Sequence, residues 1–369
     1  MSVSSEYSSN PRFLLADVKA VEAVALAAAL PATFTGDEQT VDLRTRFRTV
    51  DSHGDRGLLQ DYQYFDGNWL LSKERDSLQL GALWHHDSTL YNVFENSASV
   101  PFTQRRTEQE ATLEWRSKLT ERTDLVTDVA YDRVGYGQVA QSSLANYRYL
   151  SASTQLSRAL TERLQWQVAV GTSRYDLLNQ NYRSASPFIQ MALVDQLSEQ
   201  WHLTLGTGVS AVRARSQIGP FILGPGLQFG PFVTHSAATT NTYAVSLQRS
   251  GAESTLGLSL NRAIQPSGFG VLVTQDNASL NGGTHWSERW SGSAVLRCSR
   301  QVDSLHQLNV GNVRYYAAEF TGNWLAAEQW TLTGQLTYAR QRVLQLSAEP
   351  SGVTVYFTLA RQFGRTKLH

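Results

Sequence analysis

The chain has 369 residues, with 32 Lys plus Arg against 32 Asp plus Glu, so its net charge is zero and the basic excess of a nucleic-acid binder is missing. Only 17% of residues are charged and 41% hydrophobic, beside 15 Tyr, 14 Phe and 9 Trp, which leaves a surface built largely of Ser, Thr, Asn and Gln. The one cysteine, Cys298, excludes an internal disulfide and a cysteine-based metal site.

In chain order, MSVSSEYSSN (1–10) has neither a basic start nor an apolar run, so no secretory leader heads the sequence. The expectation is a cytoplasmic protein, or the mature or truncated form of an exported one. VEAVALAAALPATF (21–34) is the most apolar stretch. It falls short of the ~18 residues of a membrane helix and is broken by Pro31. Polar knots then recur: TGDEQT (35–40), SKERDS (72–77), KLTERTDL (118–125), ALTERLQW (159–166), QLSEQWHL (196–203), RSGAEST (249–255), HWSERWSG (285–292) and WLAAEQWT (324–331).

The residues around the knots alternate strictly. Ala111, Leu113 and Trp115 alternate with Thr112, Glu114, Arg116 and Lys118. Leu164, Trp166, Val168 and Val170 alternate with Gln165, Gln167, Ala169 and Gly171. Trp201, Leu203 and Leu205 alternate with His202, Thr204 and Gly206, and Trp330, Leu332, Leu336 and Tyr338 with Thr331, Thr333, Gln335 and Thr337. A period of two predicts strands with one apolar and one polar face, joined at the knots by tight hairpin turns. Longer connections fall near 10–20, 51–57, 90–105, 133–145, 176–183, 214–240, 263–270, 301–307 and 343–350.

Eight short turns and nine long loops connect 18 antiparallel strands, with both termini on the short-turn side. The strands run about 10–15 residues, longer than soluble strands and long enough to cross a bilayer at a tilt. Short turns at one end and long loops at the other are the pattern of an outer-membrane barrel. Unpaired strand edges are not tolerated in lipid, so the sheet must close, and a barrel of this size leaves an aqueous bore unless loops plug it. The expected fold is therefore all-β: a single closed transmembrane antiparallel barrel over residues 1–369, of 16–18 strands, in the outer membrane of a Gram-negative bacterium.

Eight tryptophans lie within a few residues of a short turn: Trp69, Trp115, Trp166, Trp201, Trp286, Trp290, Trp324 and Trp330, whereas Trp84 does not. They are expected to form a girdle at the periplasmic interface, where an indole keeps its ring in hydrocarbon and its N–H near water. The last strand, GVTVYFTLARQF, places Val353, Val355, Phe357, Leu359 and Phe363 on one face.

Three stretches carry a resemblance: SSEYSSNPRFL (4–14), RDSLQLGALWHHDSTL (75–90) and RRTEQEATLEWRSKLTERTDLVTDVAYDRVGYG (105–137). They resemble the outer-membrane β-barrel proteins of exopolysaccharide and related surface-polymer systems, a group labelled porin-like. The resemblance is one of pattern and covers most of the chain. It implies a conduit or scaffold in polymer secretion, with outer-membrane lipid, polysaccharide and periplasmic export proteins as partners. It implies no catalytic residue and no cofactor.

The candidate pore lining is Glu114, Arg116, Lys118, Asp128, Tyr147, Tyr149, Gln165, Gln167, Thr204 and Gln335. Amides, hydroxyls and tyrosine faces suit weak, repeated contacts with a sliding sugar chain; the plainer reading is a wet wall whose polar groups pair among themselves. The apolar loop IGPFILGPGLQFGPF (218–232) offers Phe221, Phe229 and Phe232 as a candidate constriction, its Gly and Pro arguing against plain strand. His85 and His86, adjacent on a strand, point to opposite faces and do not share a metal ion. Cys298 has the parity of a lipid-facing residue. No hydrolase, zinc-protease or P-loop motif appears, so no enzyme is expected. A general diffusion porin is the alternative function. A soluble β-propeller or solenoid used for binding is the alternative from another class, the propeller disfavoured because a blade packs four short strands into about 40 residues.

Overall fold

A computed structural model describes residues 2–9, 20–53, 61–88, 104–137, 144–178, 180–218, 221–222, 228–229, 232–268, 270–305, 313–343 and 349–361. All regular structure among them is strand: β1 (Ser2–Ser8), β2 (Val21–Thr35), β3 (Gln39–His53), β4 (Tyr62–Ser72), β5 (Asp76–Ser88), β6 (Arg105–Thr120), β7 (Thr123–Tyr136), β8 (Tyr147–Ala159), β9 (Leu164–Leu177), β10 (Tyr182–Gln196), β11 (Trp201–Ile218), β12 (Phe221–Ile222), β13 (Gln228–Phe229), β14 (Phe232–Ser250), β15 (Ser254–Pro266), β16 (Leu272–His285), β17 (Trp290–Asp303), β18 (Val313–Ala327), β19 (Trp330–Val343) and β20 (Ser351–Arg361). Apart from the two-stranded β12–β13 ribbon, they form one 18-stranded antiparallel sheet. Each strand pairs with its sequence neighbours, β11 with β14, and β1 with both β2 and β20, so the sheet is a closed barrel. This long-stranded cylinder replaces the propeller alternative.

Four of the eight polar knots share a chemistry. In LTERL the Thr161 hydroxyl accepts hydrogen bonds from the backbone N–H of Arg163 (3.2 Å) and Leu164 (2.9 Å). Ser198 does the same for Gln200 and Trp201, and Ser287 for Arg289 and Trp290. Thr120 caps Arg122 alone. A hydroxyl two or three residues before the departing strand thus satisfies amides that the tight turn strips of ladder partners. Ala327 holds that place in the last such turn, where the register shifts between Leu325 and Ala327 as it does between Lys118 and Thr120 in the β6–β7 turn.

The register fixes which side chains face outward. On β10 these are Leu193, Met191 and Ile189, paired with Leu205, Thr207 and Val209 of β11. On β18 and β19 they include Phe320, paired with Leu336, and Trp324, paired with Leu332. All of these large apolar side chains except Trp324 are exposed, in a contiguous apolar band far larger than the scattered patches of a soluble protein. The outer wall therefore needs hydrocarbon around it, and the protein belongs in the outer membrane. Trp69, Trp115, Trp166, Trp201, Trp290, Trp324 and Trp330 lie on this outer face near the short turns, and Trp286 lies in a turn. Trp290 and Trp324 stack at 5.6 Å, and Arg361 lies 5.4 Å over the Trp330 ring. Cys298, paired with Tyr316, is also outward and exposed.

The strands extend further toward the long loops than the apolar alternation predicts. β7 runs to Tyr136, and β11 and β14 run to Ile218 and Phe232, inside the expected loops 133–145 and 214–240. Beyond the apolar belt the outer face turns to arginine, so the two-faced pattern dissolves while the backbone ladder continues.

Met191→Arg, on the lipid side of β10, is expected to cost about 2–4 kcal/mol, whereas Gln167→Arg, on the inner side of β9, costs under about 0.5 kcal/mol. Urea unfolding of the protein reconstituted in vesicles measures both.

Candidate functional site

The inner wall is divided into two sectors. Over β3 to β7 it is charged: Asp42, Arg44, Arg46 and Arg48 on β3, Asp66 on β4, His85 and Asp87 on β5, Arg106, Glu108, Glu110, Glu114, Arg116 and Lys118 on β6, and Asp124, Asp128 and Asp132 on β7. Over β8 to β20 it is almost wholly neutral, with Ser151, Ser153, Gln155, Gln165, Gln167, Thr204, Ser246, Ser259, Asn277, Thr321, Gln335 and Thr337. The candidate lining residues are thus all on the lumen side: Glu114, Arg116, Lys118 and Asp128 in the charged sector, Gln165, Gln167, Thr204 and Gln335 in the neutral one, and Tyr147 and Tyr149 at the boundary.

Within the charged sector the side chains form a continuous relay. Arg46 donates to Asp66 at 2.9 Å, and Asp66 also meets His85 Nε2 at 2.9 Å. His85 Nδ1 lies 3.5 Å from Glu108, which accepts from Arg106 at 2.7 Å. Arg106 reaches Asp87 at 3.1 Å, and the Tyr64 hydroxyl donates to Asp87 at 3.0 Å. Nearer the seam, Arg48 pairs with Glu6 at 3.3 Å. Asp87 is fully buried by these partners, so its charge is held by hydrogen bonds on several sides. Such a relay stiffens one side of the bore and holds its cations and anions in fixed places. Arg44, Arg46, Asp42, Asp66, His85, Glu110 and Thr112 border a groove of about 480 Å³ along this wall.

His86, one residue from His85, lies on the outer face, where its Nδ1 is 3.0 Å from Thr107 and its ring stacks near Trp84. Elsewhere in the charged sector, like charges meet directly: Glu110 stands opposite Asp132, and Glu114 opposite Asp128. Carboxylates outnumber guanidinium and ammonium groups along this wall.

At the loop end a segment that sequence reasoning treated only as a connection folds in over the inner wall. Val134, Tyr147, Tyr175 and Leu177 face inward by register, yet all are buried, Tyr175 completely. They pack in one apolar cluster with Val212 and Leu272, flanked by Ile264 and Leu305. The cover is the β15–β16 turn. The Tyr175 hydroxyl donates to the Ser267 carbonyl at 2.9 Å, and the Ala145 amide donates to the Gly268 carbonyl at 2.8 Å. Gly270, at φ 86°, takes a left-handed conformation open to glycine, and a side chain there would press on Leu177 and Ala145. Strands β9 and β15 lie four places apart in the 18-stranded sheet, so this turn folds inward over the mouth end of the strands between them.

The apolar loop behaves differently from expectation. The β11–β14 ladder runs unbroken from Trp201↔Arg249 to Ile218↔Phe232, and pairing resumes at Phe221↔Phe229 and Ile222↔Gln228. Despite its Gly and Pro the segment continues partly as strand, because its two arms keep the antiparallel alignment of β11 and β14. Whether Phe221, Phe229 and Phe232 constrict the bore lies outside the described residues, since their side chains are not among them. The mouth cover seen among the described residues is 267–268 and 270–272, and only Gly268 and Gly270 hinted at it.

No protein-family model matches the chain, and no curated protein matches it. Among solved structures it is similar to the copper transporter OprC, with TM-score 0.50, 9% identity, and coverage of 92% of this chain and 61% of that one. It is likewise similar to the FrpB iron transporter from Neisseria meningitidis, with TM-score 0.50, 7% identity and coverage of 92% and 61%. The ferric-catecholate import receptor Fiu from E. coli K12 aligns at TM-score 0.45 and 10% identity over 97% of this chain and 81% of that one. The chain thus spans about three fifths of OprC and FrpB. Identities this low speak to architecture alone, and with the lipid-facing outer wall they yield one conclusion: the chain is an outer-membrane β-barrel.

Proposed function

We propose that the barrel is a conduit for a hydroxyl-rich cargo, a sugar polymer passing through the outer membrane as part of a surface-polymer secretion system. The observation that carries this reading is the mostly neutral inner sector from β8 to β20, where amides and hydroxyls predominate and Arg297 and Glu319 are among the few charges. Such groups exchange hydrogen bonds with sugar hydroxyls at nearly the free energy of water, so a chain slides without sticking. The sequence resemblance to exopolysaccharide-associated barrels supports the same cargo. The protein's role is passage and not chemistry, and its partners are the polymer and periplasmic export proteins docking at the short-turn end.

A second reading is uptake of a metal or its chelate, the cargo in the names of OprC and FrpB. The carboxylate-rich sector of β6 and β7 favours it, since it attracts cations.

Planar-bilayer recording separates the two. Neutral oligosaccharides are expected to interrupt the current with a Kd of about 1 mM, about −4 kcal/mol, while ferric chelates leave it unchanged. Block by the chelate and none by the sugars would overturn the conduit reading. The channel is expected to prefer cations in a salt gradient, and Glu110→Gln with Asp132→Asn should move the reversal potential toward zero. Tyr175→Phe removes the hydroxyl that holds Ser267, worth about 1 kcal/mol, so the covered mouth should open about fivefold more often, read as longer high-conductance dwell.

A further inference from the structure

Outside the barrel, above the apolar belt, the register gathers arginines that the protein itself does not neutralise. Arg133 stands directly opposite Arg148, and Arg183 opposite Arg215, with Asp176 between Arg148 and Arg183. One step nearer the belt, Arg174 and Arg213 flank Ala185. All six arginines are exposed, whereas Asp176 is 6% exposed. Its carboxylate meets Arg174 at 3.0 Å, Arg148 at 3.2 Å and Arg183 at 3.5 Å. Among the described residues no other carboxylate pairs with these six. Across the barrel the outward arginines are more fully matched: Arg262 pairs with Asp276, and Arg340 and Arg342 share Glu349, although Arg314 stands opposite both Arg300 and Arg342.

Like charges directly opposite on a sheet repel, and here two such pairs share a single buried acid. The arrangement is relieved when anions come from outside. Location says which anions. On β9 the outer face runs Leu164, Trp166, Val168, Val170, Thr172 and then Arg174. From turn to arginine that is about 10 residues, which at a tilt near 45° spans about 23 Å, the height of the lipid-facing band. The guanidinium groups therefore lie at headgroup level on the loop side, directly above an apolar wall that accepts acyl chains.

We propose that this patch binds a phosphate-bearing glycolipid of the outer leaflet. Its phosphates bridge the facing arginines in the bidentate geometry that guanidinium offers, and its acyl chains lie down on Val170, Ile189 and Val209. Asp176 spaces the arginines and keeps the patch from accepting anions at its centre.

The test uses the full chain folded in detergent micelles, loaded with a diphosphorylated acylated disaccharide lipid and read by native mass spectrometry. Arg133→Gln/Arg213→Gln/Arg215→Gln, which leaves Asp176 its three partners, is expected to retain about tenfold less lipid while still migrating as a folded barrel in unheated gels. The wild type should hold the dephosphorylated lipid no better than this variant does. Excess inorganic phosphate should not displace the lipid. Equal retention by the variant, or equal retention of the dephosphorylated lipid, overturns the proposal, and displacement by inorganic phosphate overturns the lipid as its source. If the triple variant fails to fold, Asp176→Asn decides: it should hold the lipid at least as tightly as the wild type, and weaker retention refutes the patch.

Discussion

A backbone amide in hydrocarbon has no water to bond, and everything in this protein follows from that constraint. The sheet must return on itself, and it does so where β1 lies between β2 and β20. The Ser8 and Thr354 hydroxyls meet there at 3.0 Å, a side-chain bond across the join. Once the sheet closes, each residue has one of two environments, set by its parity. The outer wall answers to lipid and the inner wall to water, and the sequence alternates because the surroundings do.

That alternation made much of the fold readable in advance. Leu164, Trp166, Val168 and Val170 show their face in the sequence because Gln165, Gln167 and Gly171 contrast with them. The turns were readable too, since Thr161, Ser198 and Ser287 serve a local purpose that needs only a hydroxyl at the right offset. The inward direction of Glu114, Arg116 and Lys118 follows from the same counting.

Features resting on contacts between distant strands were not readable. The relay from Arg46 through His85 to Asp87 depends on the stagger of four strands, and a shift of one pair would unmake it. The covered mouth needs Tyr175 and Ser267, 92 residues apart, to meet. Nothing local in SGFG distinguishes a hairpin turn that folds in over the bore from one that does not. The zero net charge was misleading in its own way. It sums a carboxylate-rich interior over β3–β7 and an arginine-rich outer rim, which alternate residues of the same strands separate by the thickness of one sheet.

Every barrel pairing but one joins strands consecutive around the chain, and the exception links Ser2–Ser8 to the far end of the sequence. Hairpins with hydroxyl-capped turns can form early and add side by side, each requiring only a short loop to close. The β1–β20 join spans nearly the whole polypeptide and carries the largest loop-closure entropy. By that count, joining the two ends is the most costly pairing to form and is expected to follow the side-by-side addition of the hairpins.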